Sequence, residues 1–396
     1  MPPAKTILRR IGFFTLTGLG LAYASALLIK DPPLIFPYAQ QEPTAASDGK
    51  GVQIAPLSEA LTFARFRNGD GMRLVRVERY ENDTVSGTDI TALQTDGDAD
   101  PITLWQQSTY DEIAAAAGPT VTVSVSQLVV PFASTGQQIA MGGTYAAHAA
   151  ETKMPSPFVF PKLQPAHHWN MQVPTRSFLL DYEVELGIVA LEPLKTGQKT
   201  RHYGLVLASD YTDRDRLLRD IGVSDVSTGL AFAASKSIVP ALPIGALFVI
   251  PKDVRAFYKK LELKLHVNDH LRQLAMPKDL VWDIDRMVDE SIARKEVAFP
   301  MGRNTVKLPI SADGAVPQRT ILLSGTTDGV VVRPPSARQI FIGVVQWLGS
   351  LRWNTPGVIV ERSISEAHAN GRYLQPGDRV VIRADYLGVI KNTIIP

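Results

Sequence analysis

Leu179-Leu180-Asp181-Tyr182-Glu183-Val184-Glu185-Leu186-Gly187-Ile188-Val189-Ala190 alternates with period two. Tyr182, Val184, Leu186 and Ile188 share one face of a strand, and Asp181, Glu183 and Glu185 share the other. Same-face neighbours on a strand lie roughly 7 Å apart, so three acids in a row repel one another. On a half-buried strand, unpaired carboxylates are costlier still. A positive group therefore belongs over Glu183 and Glu185, either a bound cation or basic side chains.

The rest of the chain gives this strand its setting. At 396 residues it is long enough for a large core. Its apolar fraction of 45% is that of an ordinary globular protein. There is no cysteine, which excludes disulfides, thiolate metal sites and a cysteine nucleophile. Lys5, Arg9 and Arg10 precede an uncharged run over 11–29, closed by Lys30-Asp31-Pro32-Pro33. Its 19 residues are just enough to span a bilayer, and small residues around Ala24 also offer cleavage sites. The basic residues ahead of the run put the body outside the cytoplasm. Residues 1–30 thus read as a signal peptide or signal-anchor on an extracytoplasmic protein. Without them the formal charge falls from +2 to about −2, and no basic patch with interleaved aromatics remains, which excludes nucleic-acid binding.

Residues 31–58 read as a polar tether, and 59–120 as a small N-terminal α/β domain ending at Gly118-Pro119. Residues 121–396 form the main domain. Within it, Gly142-Gly143 is a turn, Thr144 the expected N-cap, and the alanines that follow favour a short helix. On that helix His148 and Glu151 share one face. The charged stretch 212–221 reads as a helix with a solvated outer face. Leu280, Val281, Ile284, Met287, Val288 and Ile292 form one apolar helical stripe, and Ile340, Phe341, Val344, Val345, Leu348 and Leu351 another. Both read as core packing, with a membrane or dimer partner as the other reading of the second. His167-His168 lies in a Pro-rich loop and reads as surface.

In order along the chain stand Gly-Gly-Thr-Tyr-Ala-Ala-His-Ala-Ala-Glu (142–151), Asp-Tyr-Glu-Val-Glu-Leu (181–186), Ser-Asp-Tyr-Thr-Asp-Arg-Asp (209–215), Ser-Lys-Ser (235–237), Val-Asn-Asp (267–269), Gly-Thr-Thr-Asp-Gly-Val (325–330) and Leu-Gly-Val-Ile-Lys-Asn-Thr (387–393). This succession resembles the fumarylacetoacetate hydrolase family. The resemblance implies an α+β, predominantly β fold with a catalytic domain of rolled mixed β-sheets, a homodimer, and a divalent metal, Mg²⁺ before Mn²⁺ or Ca²⁺. By position it implies Glu183, Glu185 and Asp210 as metal ligands, and His148 and Glu151 as the dyad that activates water. It also implies Lys236 beside the reacting carbonyl, with Tyr145 and Thr326 contacting substrate. Three carboxylates without sulfur or imidazole suit a hard cation.

The implied activity is metal-dependent hydrolysis of a C–C bond in an acylpyruvate-like or other 1,3-dicarbonyl acid. Isomerisation or decarboxylation of a 2-oxo acid, and a non-catalytic, membrane-tethered binding role, are the alternatives. The sequence departs from the family pattern at Thr144, where asparagine is usual, at Thr327, where proline is usual, and at Leu217, where many relatives have glutamine. Residues 331–371 read as an insertion.

Overall fold

A computed structural model describes residues 19–38, 40–41, 51–69, 71–95, 98–176, 178–221, 228–238, 240–349 and 355–396. The acidic strand falls at its centre. Val184–Ala190 is buried along its whole length, on both faces, between Tyr203–Ser209 on one side and Ile321–Leu323 on the other. It is not a half-exposed strand. Its Val, Leu and Ile side chains fill the core, and only its acids need special partners.

These three strands belong to a ten-stranded mixed sheet. Beyond Ile321–Leu323 come Gln138–Gly142, the one parallel pairing in that sheet, and then Phe158–Lys162 at the edge. Beyond Tyr203–Ser209 come Leu247–Pro251 and Ala60–Asn68, followed by Gly71–Glu81, Thr84–Asp89 and Thr120–Ser124. Residues 59–120 are thus joined to the strands around the acidic segment by an unbroken ladder and do not form a sheet of their own. A second sheet of five strands runs His270–Ala275, Leu263–Val267, Arg379–Ala384, Gly388–Ile395 and Asn170–Pro174. Leu263–Val267 packs on Val184–Ala190 and Gly388–Ile395 on Tyr203–Ser209, so the core lies between the sheets.

Residues 331–371 fold as two helices, Ala337–Gly349 and Thr355–Asn370, packed on each other. The second apolar stripe is not buried core: Phe341, Val344 and Val345 are half-buried and Ile340 and Leu348 exposed, while the buried apolar side chain of this helix, Ile342, lies outside the stripe. The tether reading holds poorly for 31–38. Asp31 is gripped by Arg338 and Ser336, and Phe36 lies under Arg272 at 4.1 Å. Residues 42–50 of the tether, and the first part of the uncharged run, lie outside the described residues. Among those described, no helix is long and apolar enough to cross a membrane.

Candidate metal centre

Glu183, Glu185 and Asp210 converge, each offering a ligand oxygen within 4.8 Å of the others, and all three are buried. The convergence follows from strand pairing. Val184 and Ser209 are register partners at the ends of their strands, and the amide of Asp210 donates to the carbonyl of Glu183 at 2.9 Å. Residues just outside the two strand ends therefore face the same space.

Basic side chains occupy much of that space. Lys236, at the end of the helix Phe232–Lys236, puts Nζ 2.5 Å from Glu183 Oε2 and 3.0 Å from Asp210 Oδ2. Arg214 bridges Asp181, at 2.9 Å from Nε, and Glu183, at 2.5 Å from Nη2. Lys162 pairs with Asp210 and also donates to the carbonyl of Lys236 at 2.7 Å. Burial would raise the Glu183 carboxyl, but Lys236 and Arg214 overcome it and hold the group at about 2. Lys236 is likewise opposed by burial, yet Asp210 and Glu183 keep its affinity for the proton above the ordinary lysine value. Lys162 is pulled the other way, chiefly by burial.

Glu185 is the exception. Its Oε2 accepts from the Gly325 amide at 2.7 Å, and its Oε1 is buried without a partner. Burial, with Asp210 beside it, pushes its carboxyl well above the ordinary range. Asp181, Glu183, Glu185 and Asp210 carry four potential negative charges, against three positive ones on Lys162, Arg214 and Lys236. The unmatched charge and the orphaned oxygen fall on the same residue. A hard divalent cation fits this donor set by chemistry, since each carboxylate oxygen keeps a further lone pair.

The dyad is less tightly assembled. His148 and Glu151 lie on the helix Ala146–Thr152, with Nδ1 of His148 3.5 Å from Glu151 Oε2, outside hydrogen-bonding geometry, so that Nδ1 is buried without a partner. The Glu151 carboxylate is occupied by the Gly329 amide, at 3.2 Å from each oxygen, and by Arg333 at 2.6 Å. Thr144 is not the N-cap. Its hydroxyl donates to the Ser324 carbonyl at 2.5 Å, and Tyr145 takes the cap position without a side-chain bond. The buried Tyr145 hydroxyl has no partner, and burial raises its pKa. Thr326 donates to the Val184 carbonyl and accepts from Gln273, both at 2.9 Å, so its hydroxyl serves the loop rather than open space. Two of the three Lys236 protons are spent on carboxylates, a different duty from facing a carbonyl.

Residues 137–395 match the family described as fumarylacetoacetate (FAA) hydrolase C-terminal. The chain belongs to the fumarylacetoacetate hydrolase family. It is 30% identical over 161 residues to the mitochondrial oxaloacetate tautomerase FAHD2 of Arabidopsis thaliana, covering 38% of this chain and 68% of the relative. In fold it is similar to fumarylacetoacetate hydrolase from Exiguobacterium antarcticum, with a TM-score of 0.53, 18% identity, and coverage of 85% of this chain and 99% of the other. It is similar too to 2-hydroxyhepta-2,4-diene-1,7-dioate isomerase from Mycobacterium marinum, with a TM-score of 0.50, 16% identity, and coverage of 85% and 98%. The proteins it is similar to thus include a hydrolase, an isomerase and a tautomerase.

Four residues with a part in this site escaped the sequence reading. Arg214 was hidden in a stretch that looked like a solvated helix, yet it is among the largest fully buried side chains. Lys162 had a signal that was passed over: a lone cation closing the apolar run Phe158-Val159-Phe160-Pro161. Gly325 opens the motif 325–330 but carried no assigned role, and Arg333 had no signal, because its partner is remote in sequence. His168, set aside as surface, spends its ring on the carbonyls of Leu128 and Asn170.

Proposed function

We propose that this protein catalyses proton transfer next to the carbonyl of a 2-oxo dicarboxylic acid, interconverting the keto and enol forms of an oxaloacetate-like substrate. The observation that carries this reading is the state of the dyad. Hydrolysis needs a water made nucleophilic by a base that is itself oriented by a carboxylate, which stabilises the imidazolium as it forms. Here the acid is engaged by Arg333 and Gly329, while Nδ1 of His148 stands alone. A tautomerisation needs only a group that takes a proton from one substrate atom and gives one to another. In the enol-to-keto direction the enol oxygen loses a proton and C3 gains one, so no bond between heavy atoms changes except in order. His148, whose buried Nδ1 no hydrogen bond holds, is the group that would carry it. The similarity to an oxaloacetate tautomerase supports the same reading.

A divalent cation held by Glu183, Glu185 and Asp210 would supply Lewis-acid polarisation of the 2-oxo oxygen. Lys236, Arg214 and Lys162 keep the acids in place, so the centre needs little reorganisation when it is loaded. We further propose an extracytoplasmic location, from the basic residues before the uncharged run, and a homodimer, as the family resemblance implies.

A second reading, hydrolysis of a C–C bond in a 1,3-dicarbonyl acid, is favoured by the presence of both His148 and Glu151 on one helix face, since such pairs often tighten only around substrate. Purified protein with Mg²⁺ or Mn²⁺ should accelerate ketonisation of enol-oxaloacetate and release no new acid. Cleavage of a 2,4-dioxo acid with solvent oxygen in the product would favour hydrolysis instead. Inertness in both assays across divalent metals would overturn the enzymatic reading.

A further inference from the structure

The helices of 331–371 do more than fill space beside the site. Residues 19–28 form a helix that lies along Ala337–Gly349, and their contacts give its direction. Asp31 meets Arg338 through two bonds of 3.0 Å, the carbonyl of Ala26 accepts from Arg338 at 3.1 Å, and Tyr23 Oη meets Gln346 at 3.3 Å. Going from 338 to 346, the partner number falls from 31 to 23, so the two helices are antiparallel. Leu19 therefore lies towards the far end of the helix pair, away from Arg333 and Glu151.

Charge is segregated along this unit. Arg338, Glu361, Arg362 and Glu366 cluster at its base, where Arg338 and Arg362 both bind Glu366. Residues 339–349 and 355–360 carry no charge, nor does any residue from 11 to 29, and Arg352 is the one charge between the two helices. The helices pack closely: a Cβ on Gly343 would lie 2.5 Å from Ile359 Cγ1. Their outer face is left uncovered. Ile340 is 44% exposed and Leu348 66%, and eight residues of helix place both on one side. On the leading helix Leu28 is 84% exposed and Ile29 60%. Apolar side chains this open, on two helices that lie along each other, make a patch rather than scattered leucines.

We propose that this unit is a foot that docks on a lipid bilayer, with Leu28, Ile340 and Leu348 set into the headgroup–acyl boundary. The bilayer is favoured over a second copy by the chain that leaves the foot. Eight more uncharged residues, 11–18, precede Leu19, and Arg10, Arg9 and Lys5 lie beyond them. An apolar stretch followed by cations suits an acyl layer bordered by anionic headgroups. A cavity of about 190 Å³ lies at the base of the foot, lined by Asp31, Leu34, Arg333 and Tyr373. Because Arg333 also holds Glu151, the docked foot and the dyad share one residue.

The absence of cysteine makes a direct test simple. Leu348→Cys, Leu28→Cys and, as a control on an exposed turn, Arg303→Cys are each labelled in the full chain with an environment-sensitive fluorophore and mixed with vesicles of phosphatidylcholine and phosphatidylglycerol. The emission at 348 and 28 should shift to the blue and be quenched by brominated lipid, with 303 unchanged. If the protein floats with vesicles while the label at 348 stays as water-exposed as that at 303, the foot does not dock and the proposal fails. It fails equally if the protein does not float, or if the shift at 348 occurs without lipid and grows with protein concentration, which would make a second copy the occupant.

Discussion

Nη2 of Arg333 lies 2.6 Å from Oε1 of Glu151. An arginine from the segment set apart in the sequence as an insertion thus holds the acid of the His148–Glu151 pair. The same carboxylate takes the Gly329 amide, so its orientation is fixed from outside its own helix. Arg333→Met frees Glu151 to capture the His148 imidazole, 3.5 Å away, and should lower turnover about tenfold, the scale of ~1.4 kcal/mol. The fall should be larger in kcat than in KM, and Arg333→Lys should restore much of it. Steady-state kinetics with unchanged thermal unfolding would check this.

The two glutamates of the centre should respond in opposite ways to the same substitution. Glu183 neutralises Lys236 and Arg214, both buried, so Glu183→Gln strands positive charge and should cost about 3–5 kcal/mol. Glu185 has an orphaned oxygen and resists ionisation, so Glu185→Gln should leave the metal-free protein as stable as before, or more so. Both should abolish metal-dependent activity. Thermal unfolding with and without Mg²⁺ would show it: at a hundredfold excess over Kd the native protein should gain about 2.7 kcal/mol, and Glu185→Gln nothing.

Gly325 adopts φ +77, and a Cβ there would lie 2.3 Å from Thr144 Oγ1 and 3.1 Å from the Met141 carbonyl. Its amide is the one partner of Glu185. Gly325→Ala should therefore destabilise the fold by roughly 1–3 kcal/mol and also weaken metal binding, seen as a smaller Mg²⁺-dependent rise in Tm.

Asp213 caps the helix Arg214–Ile221, accepting from the amides of Asp215 and Arg216 at 3.1 and 3.3 Å. Burial nonetheless raises its carboxyl from 3.8 to about 6. The folded state binds this proton more tightly than the unfolded chain. Its stabilising contribution is complete below pH ~4 and is lost as the pH rises through ~6. Asp213→Asn keeps a capping oxygen and removes the titration. The variant should match the native protein near pH 4 and exceed it by about 2 kcal/mol at pH 7–8, as read from denaturant unfolding at each pH.

Local pattern and motif order carried a large share of this protein. Period-two alternation located the strand at the centre of the sheet, and helical spacing placed His148 and Glu151 on one face, because both depend only on backbone geometry within a few residues. The order of seven motifs named the family. Packing decided the rest. The initial dilemma over Glu183 and Glu185, cation or basic side chains, is resolved by a division that no spacing encodes. Lys236 and Arg214 come from distant elements to neutralise Glu183, and Glu185 is left with an unmatched oxygen. The segment 59–120 looked separable because sequence records turns and not ladders, whereas Ala60–Asn68 pairs with Leu247–Pro251 across the chain. Likewise, the apolar periodicity of 337–349 stated that one face must be covered, but only the fold showed that Ile340 and Leu348 stay outside. A sequence determines what its residues need, and the tertiary structure determines which remote residue supplies it.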